Sequence, residues 1–468
     1  MADNFNNKDS VDWECDESTP YLCDSQESQD IQETPKFAVC IEIIASESNL
    51  RAAFEEVKKN KGAPGIDKQS VYDVESKLKQ IIPTLHRELL EGTYRPGDIR
   101  RVWIPKSTGG QRGLGIPNVI DRIVQQGVYR VMLPAYDSTF HASSHGFRPG
   151  KSCHTAIEEA ARYLDEGSQY VVDIDLEKFF DTVNHQRLMS RLSQRISDKR
   201  VLYLIHLMLK TNTVMPDGVK VANEEGVPQG GPLSPLLSNI VLDELDIELS
   251  SRGHKFVRYA DDCNIYVRSE RAGKRVMESI GRFIEGKLRL KVNREKSAVA
   301  KPEERHFLGF TLKINALTEE VEITLSERTK KRTGDKIKEL TPRNWGHKFE
   351  DCILKLNHYL IGWMGFFRIC TKSEAYRFTR YDAHIRRRLR AIKLKQWKRK
   401  RTIARALISL GINAKTVWNR IYQGKKSLWN LSHDTVVDRG LSNARFAKLG
   451  LKSLRNTWDN YQLQTASA

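Results

Sequence analysis

The residues in this chain best suited to chemistry are two adjacent carboxylates. They stand in Lys255-Phe256-Val257-Arg258-Tyr259-Ala260-Asp261-Asp262-Cys263-Asn264-Ile265-Tyr266-Val267, where two β-prone apolar runs meet. The stretch reads as a hairpin with its acids at the tip. Two carboxylates about 4 Å apart repel by roughly 4 kcal/mol at an effective dielectric of about 20, so a fold that keeps both charged has use for a shared cation. Magnesium suits the place, because it takes hard oxygen ligands and keeps positions for water or phosphate. Taken alone, an Asp-Asp pair serves equally well to solvate a turn.

A second acidic stretch, Tyr170-Val171-Val172-Asp173-Ile174-Asp175-Leu176-Glu177-Lys178-Phe179-Phe180-Asp181, lies upstream. Period-two geometry puts Asp173 and Asp175 on one face of a strand and Val172 and Ile174 on the other. Only Asp175 stands where the strand gives out. Taken singly, a polar sheet face accounts for Asp173 and Asp175, and a helix N-terminus for Asp181. One carboxylate from a strand end and two from a hairpin make three oxygen donors on rigid elements, the set that two-metal displacement at phosphorus uses.

The elements that must position these acids are legible around them. Gly226-Val227-Pro228-Gln229-Gly230-Gly231-Pro232-Leu233-Ser234-Pro235 reads as a loop that lets backbone approach a ligand while Gln229 projects into it. Ser234 reads as an N-cap with Pro235 at the first helical position, and the helix should run to about Gly253. Earlier, Arg100 to Pro117 forms two short strands around Gly109-Gly110, with Lys106 and Arg112 as a compact charge and a planar fork for phosphate. A basic hairpin of this kind is also an ordinary solvated edge. Gly146-Phe147-Arg148-Pro149-Gly150-Lys151-Ser152 has one residue too few between its glycines for a Walker A loop, and His145 stands where the first glycine would be, so ATP hydrolysis is excluded there.

The chain has 468 residues, 39% apolar and 29% charged, enough for two to four globular domains. Its net charge of +18 calls for a polyanionic partner, most simply nucleic acid. No apolar run approaches the roughly 18 residues of a membrane span, and the acidic amino terminus is no signal or transit peptide, so the expected location is cytoplasmic, with no membrane partner. Seven cysteines without a C-x-x-C pair make disulfides and structural zinc poor readings. Residues 1–35 hold ten acids against Lys8 and read as a disordered acidic tail, which leaves about +27 on the rest. From Phe37 the pattern turns helical, Gly62-Ala63-Pro64-Gly65 stops it, and a further helix through Leu78 to Leu90 ends at Gly92. Beyond about Leu325, Phe349, Ile353, Leu356, Leu360, Trp363 and Phe367 form a packing stripe. From Arg377 to Arg405 there are thirteen Lys or Arg against the single acid Asp382, a run that would repel itself without a polyanion. The last segment, 407–468, is basic, with Trp418, Tyr422, Trp429 and Trp458 available for packing or base stacking.

Together these motifs resemble the reverse transcriptases encoded by group II introns, most closely the compact group IIC type, from about Asn49 onward. Gly62-Ala63-Pro64-Gly65-Ile66-Asp67 and His145-Gly146-Phe147-Arg148-Pro149 are similar to the family's fingers blocks. Asp175 to Asp181 resembles motif A, Gly226 to Pro235 motif B, and Tyr259-Ala260-Asp261-Asp262 motif C. Leu290-Lys291-Val292-Asn293-Arg294-Glu295-Lys296-Ser297 and His306-Phe307-Leu308-Gly309-Phe310 resemble motif D and the primer-contacting hairpin.

The resemblance implies an α+β right-hand polymerase. Its fingers and palm, an antiparallel sheet flanked by helices, would occupy 36–318, a helical thumb or maturase region 319–406, and a small basic DNA-binding domain 407–468. It implies two Mg2+ ions held by Asp175, Asp261, Asp262 and the Leu176 carbonyl. Phe180 would exclude a 2′-hydroxyl, Gln229 would line the nucleotide pocket, Lys106 and Arg112 would hold the triphosphate, and Lys296 would protonate pyrophosphate. Arg386, Arg387, Arg388, Arg390, Lys398, Arg399, Lys400 and Arg401 would grip nucleic acid. The implied partners are group II intron RNA, an RNA template with a DNA primer, target DNA and deoxynucleoside triphosphates. No paired cysteines follow the thumb, so the family's zinc-dependent nuclease module is not expected. Two other functions fit the same residues: an RNA-binding splicing cofactor whose polymerase is dispensable, and a related polymerase recruited to phage defence or DNA repair.

Overall fold

The computed structural model describes residues 36–105, 109–424 and 426–466. It is an α+β protein, mostly helical, organised around a four-stranded sheet ordered Lys255–Tyr259, Asp262–Val267, Tyr170–Ile174, Ala298–Ala300, with every neighbour antiparallel. Both faces of this sheet are covered, which is why its strands read as nearly continuous apolar runs. Val172, Ile174, Phe256 and Ile265 belong to one core, together with the helix Ser234–Ser251. Val171, Val257 and Tyr266 point the other way, into a second core with the helix Cys153–Asp165 and the carboxy-terminal helices. Fully burying each such side chain contributes about 1.5–3 kcal/mol, and a one-residue slip would exchange the two sets, so the register is strongly specified.

A second sheet carries the basic hairpin, Ile99–Pro105 against Gln111–Ile116. Unlike the sheet that bears the acids, this one is mixed: Ile99 and Arg100 pair in parallel with Thr213 and Val214. A parallel pairing needs a long crossover, and the intervening chain, which includes the helix Lys199–Lys210, supplies it.

The helical pattern near the start of the described chain is present, and one N-cap assignment needs correction. The helical pattern after Phe37 is two helices, Ile41–Ala45 and Glu47–Lys59, because Ser46 leaves helical geometry and its hydroxyl accepts from Asn49 N. Ser234 is not the N-cap of its helix; its hydroxyl donates to the Pro228 carbonyl at 2.6 Å, which ties the glycine-rich loop to the helix it precedes.

From Glu327 on, the described chain is helical: Glu327–Leu340, Phe349–Phe367, Ala375–Trp397 and Lys400–Ser409, followed by shorter helices and Leu454–Ala466. Phe349, Ile353, Leu356, Leu360, Trp363 and Phe367 are all buried, as the stripe predicts. The basic run falls on two helices, parted at Lys398, whose φ is +62°. Its single acid, Asp382, accepts from Ser453 Oγ, Leu454 N and Arg455 N, so it caps the last helix rather than balancing the arginines. Among the described residues no helix is long and apolar enough to cross a membrane.

Candidate active site

The hairpin reverses at Ala260 and Asp261, between Tyr259 and Asp262. The strand Tyr170–Ile174 pairs with its second arm through Ile174 and Cys263, and one further step of that register sets Asp175 opposite Asp262. Asp175 is pinned from behind: Asn293 N donates to its carbonyl at 2.9 Å, and Ser297 Oγ accepts from its amide at 3.0 Å. Asp175, Leu176, Asp261 and Asp262 line a single groove of about 1580 Å³, together with Arg112, Phe180, Gln229 and Lys296. Residues proposed from five separate stretches of sequence thus meet in one place. Lys106 lies outside the described residues.

Burial and neighbouring carboxylates disfavour charge on the acids of the hairpin. Asp262 opens into the groove, but protein encloses its other sides; that desolvation, followed by the carboxylates of Asp261, Asp173 and Asp175, pushes it up to about 7. Asp261 is raised too, chiefly by burial. Asp173 is engaged elsewhere, accepting from Arg305 Nε at 2.9 Å, which separates its task from that of Asp175. Lys296 Nζ lies 3.5 Å from Asp175 Oδ1. As the side chains stand, the acids share the groove without closing on one point: among the described residues no three His, Cys, Asp or Glu are gathered tightly enough to hold an ion. The donor set itself, three carboxylates and a strand-end carbonyl, fits a hard divalent cation.

Opposite the acids, Arg112 Nε donates to Gln229 Oε1 at 2.7 Å, joining the basic hairpin to the glycine-rich loop. The backbones are joined as well, Gly115 N to Gln229 O at 2.7 Å. Gly230 has φ +127°, and a Cβ there would meet the Gly115 carbonyl at 2.4 Å, so only glycine lets the loop lie this close. Phe180 is buried, set edge-on to Phe179 with centroids 5.2 Å apart, and its carbonyl accepts from Val227 N. Its ring forms the wall between this groove and a neighbouring one.

Several residues that sequence reasoning passed over hold the acidic turn. Arg258 is fully buried and ion-paired with Asp246, equally buried, on the helix that follows the Gln229 loop. Its other N–H groups reach Ser144 Oγ at 2.7 Å, Asn239 Oδ1 at 3.0 Å and the Ala260 carbonyl at 2.9 Å. Ala260 has φ +58°, a left-handed conformation that costs an alanine about 1–2 kcal/mol. The charge-assisted bond from Arg258 is worth about 1.5–3 kcal/mol, enough to hold it. Gly146 closes the turn from outside, where a Cβ would stand 2.3 Å from Ala260 N. His145, beside it, lies 2.6 Å from Glu159 through Nε2. The sequence signal was present: an arginine at an inward position of an apolar strand requires a buried partner.

The basic run divides. Arg386, Lys398, Arg399, Lys400 and Arg401 keep surface to solvent. Arg388 and Arg390, expected to grip nucleic acid, are buried instead. Arg388 donates to Thr341 Oγ1 and to the Thr341 and Lys338 carbonyls; Arg390 donates to the Leu441 carbonyl and pairs with Asp438. Helical spacing decides this, since Arg388 falls on the stripe of Ile385, Leu389 and Ile392. Arg387 lies over the Trp429 ring, 3.9 Å from its centroid.

Two stretches of the chain match known families. Residues 104–312 match the family model "Reverse transcriptase (RNA-dependent DNA polymerase)", and residues 330–408 match "Group II intron, maturase-specific domain". Protein YkfC of Escherichia coli (strain K12) is 36% identical over 280 residues, covering 51% of this chain and 73% of that protein. The group II intron-encoded protein LtrA of Lactococcus lactis subsp. cremoris is 28% identical over 350 residues, 60% of this chain and 57% of its own. The putative COX1/OXI3 intron 2 protein of Saccharomyces cerevisiae is 29% identical over 288 residues, 49% of this chain but 34% of its own length. The acids that share the groove fall inside the polymerase match, and a polymerase of this kind implies the use of a divalent cation. With an RNA-dependent DNA polymerase domain followed by a maturase domain, the chain belongs to the group II intron reverse transcriptase and maturase family.

Proposed function

We propose that the protein extends a DNA primer on an RNA template and serves a group II intron, close to the group IIC type, in splicing and mobility. The observation that carries this reading is the meeting of Asp175, Asp261 and Asp262 with Phe180 and the Arg112–Gln229 pair in one groove. In this reading Asp175, Asp261, Asp262 and the Leu176 carbonyl hold two Mg2+ ions, which when bound activate the primer 3′-hydroxyl and offset charge on the departing pyrophosphate. Arg112, with Lys106, binds the triphosphate as a fork and a point charge. Gln229 orients the nucleotide, and the Phe180 ring fills the space a 2′-hydroxyl would need. Lys296, held against Asp175, is placed to give a proton to pyrophosphate. The division into fingers and palm at 36–318, thumb at 319–406 and DNA-binding segment at 407–468 belongs to the same reading. So do the partners: intron RNA, template with primer, target DNA and deoxynucleoside triphosphates. The exposed cations Lys398, Arg399 and Arg401, with the half-buried Arg386 and Lys400, supply the nucleic-acid grip, and Arg387 is held beside them on Trp429.

The test is extension of a DNA primer on an RNA template with Mg2+, intact protein against Asp261→Ala. Extension should vanish in the variant while affinity for the hybrid stays close to that of the intact protein; extension that survives removes the assignment.

A further inference from the structure

We propose that Arg258 is a positioning residue for the cation site: it fixes the left-handed turn at Ala260 and so sets where Asp261 and Asp262 present their carboxylates. The inference rests on the polymerase reading of the same groove and goes beyond it, to residues that touch neither substrate nor ion.

A buried arginine paired with a buried aspartate commonly does no more than fill a core. Arg258 does more with its guanidinium. One N–H goes two residues along its own chain to the Ala260 carbonyl, directly before the acids, instead of to the partner carboxylate. The guanidinium is itself held by three residues from two other segments: Asp246 and Asn239 on the helix after the Gln229 loop, and Ser144 before the Gly146 brace. Its backbone is clamped as well, Arg258 N to the Ser143 carbonyl at 2.9 Å and His145 N to the Arg258 carbonyl at 2.8 Å. Asn239 closes the circuit, since its Nδ2 donates to the Gly146 carbonyl at 2.8 Å while its Oδ1 accepts from Arg258. A left-handed alanine persists only where its surroundings over-determine it, and these contacts do so at the one turn that carries two of the three acids. The same guanidinium also links the acids to the helix that begins at the nucleotide loop.

The experiment uses the full chain and two variants. Arg258→Lys keeps the charge beside Asp246 but lacks the planar fork that also reaches Ala260. Asn239→Ala leaves the Arg258–Asp246 pair in place and removes one restraint on each side of the turn. Mn2+ binding is counted by paramagnetic resonance of the free ion, alongside Tm, hybrid-duplex affinity, and kcat and KM for deoxynucleotide. Loss of an outer partner of a metal site typically costs 10–100-fold in affinity, so Arg258→Lys should bind Mn2+ about tenfold more weakly, with kcat reduced more than KM is raised and duplex affinity retained. Asn239→Ala should shift the same quantities by less. A variant that melts near the intact protein and binds Mn2+ as tightly overturns the proposal; if Arg258→Lys does not fold, Asn239→Ala decides alone. Should the intact protein extend primers while the folded variants bind Mn2+ normally, only this inference fails; should the intact protein neither extend primers nor bind Mn2+, the polymerase reading fails with it.

Discussion

The acidic hairpin and the basic helix Ala375–Trp397 both crowd like charges, of opposite sign, and the fold treats them in opposite ways. At the hairpin the acids cannot separate: one turn, one strand end and a buried guanidinium hold them in the same groove, and Asp262 is pushed up to about 7. On the helix the cations are dispersed. Arg388 and Arg390 are spent on carbonyls and on Asp438, Arg387 lies on Trp429, Arg377 pairs with Glu374, Lys393 lies over Phe349, and Arg380 and Lys395 face solvent. The difference follows from the partners each region suits. A small ion needs donors converging on a point, whereas a polyanion needs charge spread along a surface.

The largest effect is expected where the acids of the groove are attacked directly. Asp262→Asn removes a charged oxygen donor without changing side-chain volume, and the loss of several kcal/mol of transition-state stabilisation corresponds to a fall in kcat of about a thousandfold or more. Chelation of divalent cations should abolish extension outright, with recovery on adding Mg2+. Rapid-quench extension measures the first and a titration with the ion the second. If Asp262→Asn costs no more than substitution of one exposed cation, the hairpin is merely another charged surface and the contrast disappears.

The basic helix predicts a different failure. Arg388→Met leaves the Thr341 carbonyl and hydroxyl without their buried partner, a loss of about 2–3 kcal/mol. Thermal melting should fall by several degrees, while the salt dependence of duplex binding stays as it was. A variant with unchanged Tm and weakened binding would return Arg388 to the nucleic-acid surface.

Parts of both regions were legible in advance, for identifiable reasons. Asp261 and Asp262 could be found because a second acidic strand end upstream turns an ordinary solvated turn into part of a three-acid set, and Asp175 because period two and the strand's end leave it in front. The burial of Arg388 was legible too, had its three- and four-residue spacing to Ile385 and Ile392 outweighed the density of charge around it. What could not be read locally was pairing across distance. Nothing near Arg258 names Ser144, 114 residues earlier, nor does anything near Ile99 announce a parallel partner at Thr213. Ser234 misled because its cap signature is local while the acceptor that captures its hydroxyl, the Pro228 carbonyl, depends on how the loop closes.

Glu159 offers a smaller test of the brace behind the hairpin. Burial raises its carboxyl, but hydrogen bonding with His145, Tyr163 and Ser143 outweighs that and holds it at about 2 against an ordinary 4.5. A depressed carboxylate lends stability that is present above the unfolded value and is lost as pH falls from about 4.5 toward 2. Glu159→Gln should therefore melt lower than the intact protein at neutral pH, by an amount equivalent to about 1–2 kcal/mol, and the gap should narrow through that acid window. A gap that stays constant with pH would mean that shape, not charge, is what Glu159 supplies.

The smallest effect tests the dispersed side of the contrast, at Arg401, which is exposed on the helix Lys400–Ser409. If Arg401 meets one phosphate, Arg401→Gln should lower the slope of log affinity against log salt by about 0.7–0.9, which over a fourfold change in salt is roughly a threefold difference in affinity. Stability should hardly change, since exposed substitutions without a buried partner stay within about 0.5 kcal/mol. Arg388→Met and Arg401→Gln thus remove the same charge from neighbouring helices and should give mirror-image results: one lowers Tm and leaves the slope, the other lowers the slope and leaves Tm. Equal slopes for Arg401→Gln and the intact protein would mean that the exposed cations are solvated rather than bound to phosphate, and that the polyanion is held elsewhere on the molecule.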